Sequence, residues 1–182
     1  VYWILALATV FIMIPLSFLL TKKISEETAR ISDAASSDKR QNVSISPKAL
    51  TILLSIAGIG CCVAMSMPQV HIVAFCIDLG FGPAVGAEML SLMLIGGIIS
   101  RLINGLIADK LGGVYTLLIG STLQCIALFL YLPFDGLVSL YIVSLVFGLS
   151  QGGIVPSYAI IIREYLPGAD AGTRVGFVMM CT

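Results

Sequence analysis

Long apolar stretches separated by short polar segments make up most of the chain. Apolar runs occupy residues 1–21, 49–77, 89–108, 111–134 and 136–162, and a sixth run covers residues 175–182. Because a helix needs about 20 apolar residues to cross a bilayer, the first five runs are predicted to be transmembrane helices, and the sixth is too short to cross. A helix satisfies its own backbone hydrogen bonds, as lipid requires, so no strand is expected in any apolar run.

The basic residues predict how these helices are oriented. All but one of them fall in alternate connecting segments: Lys22, Lys23, Arg30, Lys39, Arg40, Lys48, Lys110, Arg163 and Arg174. The remaining connections carry Asp78, Glu88 and Asp135 and no basic residue. The positive-inside rule therefore places the three basic connections in the cytoplasm.

Three segments follow from this pattern. Residues 1–21 are predicted to be a transmembrane helix and residues 49–182 a truncated helical bundle. Between them, residues 22–48 are rich in serine and charge, which predicts a poorly packed cytoplasmic loop. The chain begins at Val1 and stops inside an apolar run, so we expect it to be an internal piece of a longer multi-pass protein of a plasma membrane or a bacterial inner membrane.

Composition excludes several other classes. The 182 residues are 58% apolar and 11% charged, with a formal net charge of zero. Soluble domains carry about 25% charged residues, so a soluble domain is excluded and the lipid bilayer is the expected surrounding. A nucleic-acid partner is also excluded, since it requires a basic surface. The five cysteines show no C-x-x-C spacing, and neither a metal site nor a cofactor is expected.

Arg101 is the one basic residue inside a predicted span. It precedes Asp109 by eight residues, about 12 Å along a helix, which approaches the middle of a bilayer core about 30 Å thick. An arginine at the centre costs about 2.5–3.5 kcal/mol on insertion scales. A water-filled cavity, a carboxylate or an anionic substrate would offset that cost. The alternative is a side chain that reaches back to the cytoplasmic surface. Gly97, Arg101 and Gly105 recur every four residues, which predicts a narrow helix face that packs closely beside a cavity.

His71 is the only histidine and follows Pro68 in the long second span. A proline removes a backbone donor and kinks a helix, and the freed carbonyl is tolerated where it faces protein or water. Histidine titrates near physiological pH, so His71 is a candidate for proton relay or for binding a carboxylate. The alternative is a packed histidine with a structural hydrogen bond.

The fifth span contains Gly148, Gly152, Gly153 and Pro156, a pattern that predicts a close helix contact followed by a kink. Residues 148–152 also spell G-x-S-x-G, the pattern of a hydrolase nucleophile, with Ser150 at its centre. That motif needs a strand-to-helix turn, whereas this copy lies inside a predicted helix. A membrane hydrolase using Ser150 and His71 is thus a weak alternative, and the protein is not expected to be an enzyme.

The connection between the third and fourth spans carries the motif G-x-x-x-D-K-x-G-G, from Gly105 through Asp109, Lys110 and Gly112 to Gly113. It resembles the cytoplasmic signature loop of the major facilitator superfamily, in which a basic residue usually stands at the position of Gly113. The resemblance implies an all-α fold and places this copy between helices eight and nine of twelve. The chain would then run from helix six, through the central loop, to the start of helix eleven.

Within the superfamily, the Pro68-x-x-His71 segment and residues 90–109 resemble the monocarboxylate-porter and oxalate–formate antiporter branch. Monocarboxylate transporters carry an arginine in helix eight, four residues before the signature glycine, as Arg101 precedes Gly105. Mammalian members place an aspartate four residues before that arginine, where this chain has Gly97. An Asp–Arg pair within this helix is therefore not expected.

The resemblance implies secondary active transport by alternating access, with a small organic anion (a monocarboxylate or dicarboxylate) moved by proton symport or by antiport. Arg101 would hold the substrate carboxylate, and His71 would take part in substrate binding or proton coupling. The signature loop would act as a conformational switch, and the N-terminal half of the same protein would complete the site. A transporter for a drug or a sugar, and a transporter-like sensor, remain open alternatives.

Overall fold

The computed structural model describes residues 2–20, 34, 37, 45–133, 136–166 and 168–182. Within these ranges the chain forms seven helices: α1 (Tyr2–Leu20), α2 (Pro47–Asp78), α3 (Pro83–Leu111), α4 (Gly113–Leu130), α5 (Leu137–Gln151), α6 (Ile154–Tyr165) and α7 (Gly168–Met180). The described residues contain no strand, which confirms the prediction of an all-α fold.

The chain divides into two compact units, Val1–Ala35 and Ser36–Thr182. The first unit contains α1, in which Pro15 lies within the helix and the described side chains between Leu7 and Leu16 are all exposed. The predicted loop of residues 22–48 lies mostly outside the described residues. Its last residues, from Ser46, belong to the start of α2.

The start of α2 follows from its local sequence. Ser46 has extended backbone angles, and its hydroxyl oxygen accepts a hydrogen bond from the backbone N–H of Ala49 at 3.3 Å. Serine is a favoured residue just before a helix, and Pro47 fits the first helical position because its missing N–H is not needed there. The helix therefore begins two residues before the predicted boundary at residue 49.

Four helical segments among the described residues are long and apolar enough to cross a membrane: Pro47–Asp78, Pro83–Leu111, Gly113–Leu130 and Leu137–Tyr165. They correspond to the second to fifth predicted spans, and that part of the prediction is confirmed. The apolar helical stretch in α1, Leu7–Leu16, is shorter than these four segments. Large apolar side chains on these helices are exposed, as with Ile98 at 65% and Leu102 at 72%, which suits contact with lipid.

The last span is divided between α5 and α6. The two helices meet at Gly152 and Gly153, and Pro156 lies in the first turn of α6, where a proline is tolerated. Their side chains form the centre of the bundle. Phe147 on α5 joins a buried cluster with residues of α2, α3 and α4, and Tyr158 on α6 joins a second cluster with residues of α2 and α7.

The packing of α3 against α5 is the most extensive contact between helices in the bundle. It depends on glycines, because an added Cβ at Gly148 would lie 2.9 Å from the Cα of Met93 and one at Gly152 would lie 2.6 Å from the carbonyl oxygen of Gly97. Small residues allow helix backbones to approach in this way inside membranes. The glycine pattern of the fifth span thus lies at a backbone-to-backbone crossing with α3.

We expect Gly152→Ala to destabilise the bundle by about 1–3 kcal/mol, the usual cost of adding a group to a filled interior. The added methyl would meet the carbonyl of Gly97 and the Cβ of Ser100, both 2.6 Å away. Gly60→Ala is the matched control, because no described atom lies within 4 Å of the Cβ it would add. Melting temperatures of the detergent-solubilised variants provide the measurement. Equal values for the two variants would contradict the close crossing.

Candidate functional site

Arg101 lies on α3 between a packed part of the helix face and an exposed part. Gly97, one turn before it, is buried, and its Cβ position is 3.4 Å from the side-chain nitrogen of Gln151. Gly105, one turn after it, has no described atom within 4 Å of the Cβ position. Four residues turn about 400°, so this face rotates by about 40° at each step and passes from packed to open. Arg101 stands at that transition, with an exposed side chain.

The backbone that carries Arg101 is held firmly. The backbone nitrogen of Arg101 lies 2.7 Å from the position that a Cβ would take at Gly152, the residue that follows α5. Next to it, the Ser100 hydroxyl donates to the Leu149 carbonyl of α5, and the Asn104 amide donates to the Ser100 hydroxyl at 2.9 Å. Across the described residues no hydrogen bond or ion pair engages the Arg101 side chain. The Arg101 side chain therefore has no partner among the described residues, although contacts with α5 fix its backbone.

Two glutamines form a polar pair on the same side of α3. The Gln69 side-chain nitrogen of α2 donates to the side-chain oxygen of Gln151 on α5 at 2.7 Å. Gln151 is 7% exposed and its own amide nitrogen lies against Gly97. Residues four apart lie on one helix face, so this nitrogen contacts the same face of α3 that carries Arg101 one turn later. The sequence offered one signal for the pair, since amides are uncommon in membrane spans, but it could not show that they meet.

His71 lies on a different side of α2. It lines a groove of about 440 Å³ with apolar residues, among them Pro68 and Phe75 of α2 and Cys125 and Phe129 of α4. Gln69 precedes His71 by two residues, which corresponds to about 200° around the helix. Gln69 faces α5, so the two side chains diverge. Arg101 and His71, the two candidate binding residues, were expected on one side of the bundle. The structure places His71 in the groove with α4, away from the side that carries Arg101 and Gln151.

Ser150 and His71 are not arranged as a nucleophile and a base. Ser150 is buried on α5, and its hydroxyl donates to the Phe147 carbonyl of its own helix at 2.7 Å. His71 is exposed and forms no hydrogen bond with Ser150 in the part of the chain that the structure describes. The hydrolase alternative therefore has no geometric support.

The signature loop forms the turn between α3 and α4. Gly112 has φ of +85°, a conformation that glycine adopts without strain, and its N–H donates to the Ala108 carbonyl at 2.9 Å. Gly105, Asp109 and Lys110 are exposed. Gly113 is buried against α6, and a Cβ added to it would lie 2.8 Å from a side-chain carbon of Ile161. The turn thus holds α4 tightly against α6 and presents its charged residues outward.

Glu164, and not Asp109, binds the start of α4. A Glu164 carboxylate oxygen accepts a hydrogen bond from the Gly113 N–H at 3.3 Å. A carboxylate at this position stabilises the positive end of the helix dipole. The motif also predicts that Asp109 bonds to backbone donors around Gly112 and Gly113. That prediction is wrong, since Asp109 forms no hydrogen bond among the described residues. Asp109 also forms no ion pair with Arg163 or Arg174 among the described residues.

Asp78 and Glu88 were both expected in the connection between the second and third spans, but Asp78 is the last residue of α2 and Glu88 lies near the start of α3. The hydroxyl of Tyr141 on α5 donates to the Glu88 carboxylate. The described residues contain no group of histidine, cysteine, aspartate and glutamate side chains that could hold a metal ion.

A chain of apolar helices with this loop and this arginine has the features of a membrane transport protein. The family model of the Major Facilitator Superfamily matches residues 1–182, and the chain belongs to that superfamily. It is thus an integral, multi-pass membrane protein, and membership in this family supports the prediction that it is not an enzyme.

Two curated relatives match part of the chain. Monocarboxylate transporter 13 of Rattus norvegicus is 27% identical over 116 residues, which cover 63% of this chain and 27% of the relative. Monocarboxylate transporter 13 of Bos taurus matches with the same identity and coverage. The matched region therefore spans about a quarter of the length of these relatives. No solved structure matches the chain significantly.

We expect Glu164→Ala to lower the melting temperature, because it leaves the Gly113 N–H without its acceptor. Loss of a side-chain cap typically costs about 0.5–2 kcal/mol. Asp109→Ala removes a nearby carboxylate that bonds to none of the described residues, and it should change the melting temperature little. Thermal unfolding of both variants in detergent provides the comparison. A larger loss in Asp109→Ala than in Glu164→Ala would contradict the assignment of Glu164 as the cap.

Proposed function

We propose that the intact protein is a secondary transporter that carries a small organic anion, a monocarboxylate or dicarboxylate, across the membrane by alternating access. The single observation that carries this proposal is Arg101, an exposed cation on a membrane-spanning helix whose backbone is fixed by α5. The similarity to transporters whose name specifies monocarboxylates supports the same substrate class.

The surroundings of Arg101 favour a position in a water-filled cavity. A guanidinium that faces lipid near the bilayer centre keeps most of its desolvation cost. The side of α3 that carries Arg101 also faces the glutamine pair, and polar amides are disfavoured at a lipid-facing surface. A hydrated Arg101 would then bind a carboxylate through two parallel N–H···O bonds, a geometry that arginine provides.

The remaining segments have roles that follow from this proposal. Residues 22–48 are the cytoplasmic connection between helix 1–21 and the bundle 49–182. Gly105, Asp109 and Lys110 are exposed at the cytoplasmic turn, where they would contact the N-terminal half and stabilise one conformation of the transport cycle. Gly112 and Gly113 shape the turn that presents them.

Symport with a proton and exchange of two anions are both compatible with this site. The position of His71 in the groove between α2 and α4 separates it from the substrate carboxylate, so a coupling role for His71 would act through α2. Uptake driven by a pH gradient, compared with uptake driven by anion inside the vesicles, distinguishes the two modes. A sensor that binds without transport would show neither. In a drug or sugar transporter, Arg101 would pair with a carboxylate of the N-terminal half.

We expect Arg101→Ala in the intact transporter to abolish anion uptake and to leave the amount of folded protein largely unchanged. Arg101→Lys should restore uptake poorly, because lysine does not form the paired contact with a carboxylate. Uptake of labelled acetate, pyruvate, lactate and oxalate into reconstituted vesicles provides the measurement.

Arg163→Ala is the control for Arg101→Ala. It removes an equal charge from an exposed position in the last turn of α6, and uptake should persist. Wild-type uptake in Arg101→Ala would show that Arg101 is structural, and the proposal of anion transport would lose its main support.

A further inference from the structure

The glutamine pair has more hydrogen-bonding capacity than the described chain uses. Two amide side chains provide four N–H donors and two carbonyl oxygens. The bond from Gln69 to Gln151 uses one donor and one oxygen, and no other hydrogen bond of these side chains occurs among the described residues. Because an unbonded amide is costly away from water, the spare donors require water or a ligand as a partner.

The spare N–H groups of Gln151 lie against α3 one helical turn before Arg101. The Gln151 nitrogen contacts the position of a Cβ at Gly97, at 3.4 Å, and Arg101 follows Gly97 by four residues. Four residues correspond to about 6 Å along the helix axis, a distance that an arginine side chain can cover. A small anion at this place would meet a cation and a neutral donor from two different helices.

The bond from Gln69 determines which end of the Gln151 amide is available. Gln69 donates to the Gln151 oxygen, so the nitrogen of Gln151 is turned toward Gly97. A reversed amide would present an oxygen to the anion and would repel it. A carboxylate at residue 97 would accept a hydrogen bond from the Gln151 nitrogen. Because residue 97 is a glycine, that nitrogen can donate to a ligand instead.

We propose that Gln151 is a substrate-binding residue, which donates an N–H to one oxygen of the carboxylate while Arg101 binds the carboxylate from α3, and that Gln69 is a positioning residue, which fixes the orientation of the Gln151 amide. This inference rests on the proposed function and extends it by assigning two residues on α2 and α5. Binding of substrate then connects α3 to α5 through the anion, and to α2 through Gln69.

Gln151→Glu is the decisive variant. It keeps the size of the side chain and an oxygen that accepts from Gln69, but it replaces the donor with a negative oxygen. The KM for the anion of the panel (acetate, pyruvate, lactate and oxalate) that is transported best should rise about tenfold or more, with little change in maximal rate, since a hydrogen bond to a charged group is lost. Gln151→Met, which is uncharged, should raise the KM in the same direction and serves where Gln151→Glu does not fold.

Gln69→Met tests the positioning role. It leaves Gln151 in place but removes the bond that orients it, and the KM should rise about threefold or more. Gln69→Glu should be worse than Gln69→Met, because a carboxylate accepts from Gln151 and turns its oxygen toward the anion. A merely structural Gln69 would instead lower the amount of folded protein in both variants and leave the KM unchanged.

Gln124→Met is the matched control. Gln124 is a buried glutamine on α4, where its oxygen accepts from the Cys61 thiol at 3.8 Å, and its replacement should leave the KM unchanged. A wild-type KM in the folded Gln151 variants, together with loss of uptake in Arg101→Ala, would overturn this inference and leave the proposed function intact. An equal rise in Gln124→Met would also overturn it. Failure of the unmodified transporter to move any of the four anions would overturn the proposed function itself.

Discussion

The close approach of α3 and α5 is the contact on which the rest of the bundle depends. Lipid provides no hydrophobic driving force between helices, so their association rests on van der Waals packing and hydrogen bonds. Here the backbones touch at Gly148 and Gly152, and the Ser100 hydroxyl donates to the Leu149 carbonyl across the same crossing. The crossing places Gln151 against Gly97 and fixes the backbone at Arg101. The contact that stabilises the bundle therefore also sets the geometry of the candidate site.

The second span separates two kinds of surface. Gln69 of α2 faces the polar side, where it bonds to Gln151, and His71 of α2 faces an apolar groove with α4. A helix exposes residues two apart in nearly opposite directions, so two neighbouring polar residues serve different surroundings. The placement of a polar residue in a membrane helix is thus decided by rotation around the axis as much as by depth.

Run length and charge predicted the spans well, since a bilayer imposes a minimum length on any crossing helix. They did not predict the ends. The run of residues 111–134 gives a helix that ends at Leu130, because the apolar residues Tyr131 to Pro133 form a turn, and hydropathy does not distinguish a turn from a helix. Arg101 was evident as a charge among apolar residues. Gln151 and Glu164 were not, because each acquires its role from a partner far along the chain, Gln69 and Gly113.

Gly97 and Gln151 occupy one shared space. A Cβ at residue 97 would touch the Gln151 amide at 3.4 Å, so the carboxylate of an aspartate would extend into the volume that the amide fills. An aspartate at residue 97 would therefore compete with the Gln151 amide for this volume, whereas a glycine leaves the volume to the amide. The two positions should therefore change together in evolution, and transporters of this superfamily that differ at one of them should divide into groups that also differ at the other.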